Sequence, residues 1–215
     1  MKVRLVLVTL LLSCIITIAQ EPPANELRRR ALLGDAAAQT SLGFLYQTGS
    51  GGVQKDEVSA VYWHRKAAEQ GFAPGQYNLG IMYRNGLGGL TKDEGEAVQW
   101  YRLAADQGFA PAQNDLAWIL CTSVNPKLHD PYKALEYAQK AVAAVTGLSN
   151  HTMLYMYQDT LAEVYYVLGQ FKNAIRTEEE ILTALSPEDK DRSEYARHLT
   201  KYRQALEAAG KPAAH

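Results

Sequence analysis

Apolar residues in this chain recur on two scales. On the short scale, Leu42, Leu45 and Tyr46, then Leu79, Met82 and Tyr83, then Leu116, Ile119 and Leu120 fall at i, i+3, i+4. That spacing places them on one stripe of an α-helix. Ala60, Trp63 and Ala67, then Ala97, Trp100 and Ala104, trace a second stripe of the same kind. On the long scale the pattern returns every 37 residues, through Gln39, Gln76 and Gln113, and through Asp56, Asp93 and Asp130. The segments WHRKAAEQGF at 63–72 and WYRLAADQGF at 100–109 repeat most of a motif at that offset. A fixed period of this length marks a repeat array, each unit being a pair of helices, A and B. Asp56, Asp93 and Asp130 stand where helix B needs an N-cap, with Glu96 completing a capping box and Pro131 in a first turn. Gly71 and Gly108 end helix B, and Pro74 and Pro111 open the next helix A.

The register changes after Thr146-Gly147. Leu161, Ala162, Tyr165 and Gly169 predict a further helix A, but Ala174 follows Leu161 five residues sooner than Ala60 follows Leu42. The missing residues are the glycine-rich A–B loop, Gly49-Ser50-Gly51-Gly52 in the first unit. Tyr195, Leu199, Tyr202 and Leu206 lie on one stripe of a last helix, the dry face of a terminal cap. Leu27 to Gly34 matches the end of a helix B, so the array opens on a half-repeat. The expected fold is all-α, an α-solenoid of stacked antiparallel helix hairpins. Its expected divisions are a segment 1–19, an extended spacer 20–26, a half-repeat and three units over 27–146, a shorter unit over 147–186, a capping helix over 187–209 and a tail 210–215.

Composition agrees with a folded chain: 47% of the 215 residues are hydrophobic, 21% are charged, and the net charge is −1. Mixed signs exclude the basic footprint that nucleic acid requires, and Arg28-Arg29-Arg30 reads as a solvated helix face. Residues 1–19 read as a secretory signal peptide: Lys2 and Arg4, an apolar run, and Thr17-Ile18-Ala19 before the cut. Two other fates stay open, a lipid anchor at Cys14 and an uncleaved anchor helix. Removing 1–19 leaves Cys121 as the single cysteine, so no internal disulfide forms. Beyond that segment no apolar stretch is long enough to span a membrane.

The motifs AxxQxxLGxxYxxG and KDxxxAxxWxxxAAxQGF, over residues 27–141, resemble the Sel-one-like repeat, a relative of the tetratricopeptide repeat; the shorter unit has tetratricopeptide spacing. The resemblance implies a right-handed superhelix whose concave side is lined by helix A, in scaffolds and adaptors that hold a protein or peptide. By that analogy the partner-binding residues are Tyr77, Arg84, Asn114, Trp118, Asp159 and Tyr166, mixing aromatic anchors with charge and amide groups. Tyr77 and Tyr166 have packing between neighbouring A helices as an alternative role. Exported members of the family act in host contact, envelope assembly or sensor regulation. Some with a cysteine pair in each repeat are linked to peptidoglycan or β-lactam binding, and this chain lacks those pairs.

Catalytic readings find little support. The histidines, His64, His129, His151, His198 and His215, form no i, i+4 pair and no ligand spacing with carboxylates. His64, in the place of Tyr101, reads as an exposed helix B position. Cys121 reads as a structural thiol, no GxSxG elbow is present, and the glycine-rich loops lack the Gly-Lys-Ser/Thr ending of a phosphate cradle. The expectation is no catalytic residue, metal or cofactor. A cell-wall (peptidoglycan or β-lactam) binding or hydrolysing protein, and a self-associating structural array, remain the alternatives to a scaffold.

Overall fold

The computed structural model describes residues 23–149 and 151–210, so the expected signal peptide, Cys14 and the end of the tail lie outside the described residues. Those residues form ten α-helices and no strand: α1 (Pro23–Leu32), α2 (Ala36–Thr48), α3 (Glu57–Glu69), α4 (Ala73–Asn85), α5 (Glu94–Asp106), α6 (Ala110–Thr122), α7 (Pro131–Val145), α8 (His151–Val167), α9 (Phe171–Ala184) and α10 (Arg192–Ala209). The chain divides between Ala97 and Val98, within α5, into two compact units.

In the first unit α2 and α3 start, and α2 and α4 stop, where the sequence places a cap. Asp35 accepts from the Ala38 amide and Asp56 from the Val58 and Ser59 amides. Gly49 and Gly86 end α2 and α4 in the left-handed region, at φ 71 and φ 68. The core begins with Ala31, Ala38 and Leu42, against which Leu27, Tyr46 and Trp63 pack. Full burial of Leu42 and Leu79 contributes roughly 2 kcal/mol each. Two polar ties recur with the repeat. The buried Gln39 side chain donates to the Ala31 carbonyl at 3.0 Å, and Gln76 to Ala68 at 3.4 Å. The amides of Asp56 and Asp93 donate to the carbonyls of Tyr46 and Tyr83, closing each A–B loop.

Two expectations need correction here. Residues 23–26 belong to α1, so the stretch 20–26 is not an extended spacer throughout. His64 is not exposed but fully buried, because Gly43 on α2 leaves room for its ring. Trp63, on the apolar stripe of helix B with the buried Ala60 and Ala67, is itself only partly buried, with its ring edge-on to Tyr62 at 5.0 Å.

In the second unit Gln113 repeats the amide tie, donating to the Ala105 carbonyl at 3.0 Å. Asp130 caps α7 through the Lys133 amide, and the Tyr137 hydroxyl donates to Asp106 at 2.8 Å. The short α8–α9 connection turns through Gly169 at φ 72. α10 docks by burying Tyr195, Leu199 and Tyr202, with Tyr202 packed on Ala162 and Ala174. Arg192 holds the end of α9 by donating to the Leu182 and Leu185 carbonyls at 2.6 and 3.0 Å. This docking places α10 beside α8, where the residues of the candidate site gather.

Candidate partner-binding site

Three helices of the second unit each contribute residues spaced by one turn. α6 brings Asn114 and Trp118, α8 brings Met156, Asp159 and Thr160, and Asp191, Glu194 and Tyr195 come from the start of α10. Together they line an open depression of about 330 Å³. Trp118 and Met156 are exposed apolar groups on its wall. Asn114 is 8% exposed, and its Oδ1 has no hydrogen-bond partner. The lining is rich in acid, with Asp159, Asp191 and Glu194 among its residues.

The local field is negative. Burial pushes the Tyr195 hydroxyl up to about 12, and Asp159, Asp191, Glu178 and Glu194 add to the shift in the same direction. Behind the depression Asp159 meets His198, Nδ1 to Oδ1 at 2.7 Å. Glu178 Oε1 lies 3.8 Å from the same nitrogen, an ion-pair separation too long for a hydrogen bond. Glu178 is fully buried and neither of its oxygens has a hydrogen-bond partner. The bonded Asp159 carboxylate, with Glu178 behind it, raises the His198 pKa, and burial raises that of Glu178. These three side chains present ligand atoms within 4.8 Å of one another, the one such group among the described residues. A carboxylate pair does therefore meet a histidine, across three helices, where no local spacing in the sequence announced it.

The expected contact residues separate. Asn114, Trp118 and Asp159 converge on the depression. Tyr166, two turns along α8 from Asp159, does not line it. Its ring packs on Tyr202 and Phe171 at centroid distances of 5.2 and 5.8 Å, with Lys201 Nζ 4.1 Å above. Lys201 in turn bonds both Glu163 oxygens at 2.8 Å, and the Tyr202 hydroxyl donates to Glu163 at 2.9 Å. Tyr77 and Arg84 stand in the first unit, seven residues apart on one side of α4 and partly buried. Sequence reasoning missed Glu178, His198, Asp191, Glu194 and Tyr195. One signal was available: counted from Ala174, Glu178 falls at the position of His64, Tyr101 and Ala138, a charged residue in a buried slot.

Two other features offer less. A larger depression of about 630 Å³ in the first unit is lined by Arg28, Lys55 and Asp56 among others. Its charges are already engaged, Arg28 with Tyr46, Lys55 with Glu57 and Asp56 with the α3 cap. Cys121 is buried, and burial and Glu163 push its thiol up to about 12. At neutral pH it is a thiol and no nucleophile.

A family model described as the Sel1 repeat matches residues 36–72, 73–109 and 110–144, about half of the chain. Solved structures with the same arrangement include a Sel1 repeat protein from Oxalobacter formigenes, 23% identical, with a TM-score of 0.60 over 82% of this chain and 48% of that one. A protective antigen of uropathogenic Escherichia coli strains that displays an SLR fold is 21% identical, with a TM-score of 0.58 over 87% of this chain and 41% of that one. At these identities the likeness concerns the fold, and the chain spans less than half of either relative. No curated protein matches the sequence.

Proposed function

The chain belongs to the Sel1 repeat family, helical scaffolds that generally mediate protein interactions, and we propose that it is exported and holds a basic segment of a protein partner in the depression between α6, α8 and the start of α10. The observation that carries this reading is the convergence of Asn114, Trp118 and Asp159 with Asp191, Glu194 and Tyr195 on one open space. Trp118 supplies the exposed aromatic surface typical of residues that dominate binding energy. The carboxylates of Asp191 and Glu194, which line the opening, accept from a lysine, an arginine or a peptide amide. Charge of one sign at the rim speeds encounter and selects against acidic partners. Tyr77 and Arg84 are proposed contacts of the first unit, whereas the packing of Tyr166 makes it a support for α10.

Fluorescence anisotropy with labelled Lys/Arg-rich and Asp/Glu-rich peptides tests this. The basic peptide is expected to bind, more weakly at high salt, and to lose at least about tenfold in affinity with Trp118→Ala plus Glu194→Lys. Equal binding of both peptides, or an unchanged affinity in the double variant, overturns the assignment. Binding to peptidoglycan instead supports the cell-wall reading, and a mass that grows with concentration supports self-association. Export rests on the Lys2 and Arg4 start and the apolar run after it. N-terminal sequencing of protein recovered outside the cytoplasm should begin at Gln20; a lipid-modified Cys14 marks an anchored form, and an intact Met1 refutes processing. Among the described residues no helix is long and apolar enough to cross a membrane.

A further inference from the structure

We propose that Asp159, Glu178 and His198 form a binding site for one divalent transition-metal ion, with Zn²⁺ the best match to its ligands. The ligand atoms come from α8, α9 and α10, so helix packing fixes their separation before any ion arrives. The His198 nitrogen lies 2.7 Å from Asp159 and 3.8 Å from Glu178, and all three ligand atoms fall within 4.8 Å of one another. A tetrahedral ion with bonds of about 2.0–2.2 Å spaces its ligand atoms by roughly 3.3 Å, inside that range. Rotation of the Asp159 carboxylate away from His198 opens the shortest edge.

A second observation points to a cation independently of this spacing. Glu178 is fully buried, both its oxygens lack a hydrogen-bond partner, and it faces His198 and Asp159. A buried carboxylate without donors is costly, and an ion held between it, Asp159 and a neutral His198 supplies the missing positive charge. One imidazole with two carboxylates is a borderline donor set suited to Zn²⁺ and ill-suited to Mg²⁺, which prefers oxygen and water. The ion has a way in, because Asp159 lines the open depression and the His198 side chain is 27% exposed. Three protein ligands leave a fourth position facing that opening, for water or a donor atom from a partner. The competing occupant is a single proton shared by the same three groups.

The test uses the untagged, processed chain after treatment with a chelator. Titration calorimetry with ZnCl₂ should give one ion per chain, accompanied by a rise in Tm, with MgCl₂ producing neither. Glu178→Gln, which keeps the shape of the side chain, and His198→Ala should each weaken zinc at least about tenfold. His151→Ala, at an exposed position away from the group, should not. Circular dichroism of Glu178→Gln checks that its helices remain. A wild-type chain that ignores zinc overturns the proposal, and a Glu178→Gln chain of raised Tm alongside it identifies the proton as the occupant. Zinc bound equally by all variants also overturns it. The peptide measurements above run in chelator, so the docking assignment and the metal site fail separately.

Discussion

Gly43 and His64 share one space between α2 and α3. A Cβ on Gly43 would stand 2.7 Å from His64 Cε1 and 2.8 Å from Nδ1, closer than packed atoms tolerate. Thirty-seven residues on, Gly80 and the fully buried Tyr101 hold the same two positions, and in the third unit both are alanine, Ala117 and Ala138. Gly43→Ala is therefore expected to destabilise by about 1–2 kcal/mol despite its better helix propensity. The double variant Gly43→Ala/His64→Ala, which copies the third unit, should be more stable than His64→Ala alone, as a urea double-mutant cycle will read. Acid acts on the same residue. Neither ring nitrogen of His64 has a hydrogen-bond partner, and burial pulls its pKa from 6.5 down to about 4. Between those values the unfolded chain takes up a proton that the folded chain refuses, so stability falls as pH drops from 6.5 to 4 and levels off below. The loss is on the order of 3 kcal/mol. Urea midpoints across this window should show it, and His64→Gln should flatten it. None of this was visible from position 64 alone, where the alternation of helix B suggested an exposed residue. The decisive fact is a missing side chain on a different helix.

Among the elements, the recurrent glutamines explain how one hairpin is tied to the next. Gln39, Gln76 and Gln113 each reach the carbonyl of a residue in the last turn of the preceding helix B, a chain end whose oxygens helix geometry leaves open. The Ala105 oxygen also accepts from the Gly108 amide, so Gln113→Leu should cost only about 1 kcal/mol. Gln113→Glu, which buries a charge against that carbonyl, should cost several times more, by the same denaturation measurement. Helix limits were legible because their causes are local: Asp35, Asp56 and Asp130 cap within three residues, and Gly49 and Gly86 turn the chain where they stand. The candidate site was legible only in part. Asn114, Trp118 and Asp159 follow from the period of helix A. The meeting of Glu178 with His198 depends on how α10 lies against α8 and α9, which no window of sequence encodes. For Tyr166 the packing alternative gains support for the same reason, though its neighbours Lys201 and Tyr202 come from α10 and not from an adjacent helix A.

For the molecule as a whole, the period of 37 residues was enough to give the class of fold and the three matched units. It did not reveal that the contact residues it nominated fall into two compact units, Tyr77 and Arg84 in one and the remainder in the other. Stability in such arrays comes from each hairpin and its nearest neighbours, and the one cysteine among the described residues is free. The Gly43 and His64 arrangement then bears on descent. Residues 43 and 64 fall within a single matched segment, as do 80 with 101 and 117 with 138. A gene that grows or shrinks by unequal crossing-over in phase with that segment carries Gly43 together with the imidazole it makes room for. Copies can then diverge, one with imidazole, one with phenol, one with methyl groups, without waiting for a compensating change elsewhere. A crossover that instead breaks the unit between those two positions, and so sets an alanine such as Ala117 opposite His64, meets the loss of about 1–2 kcal/mol expected of Gly43→Ala.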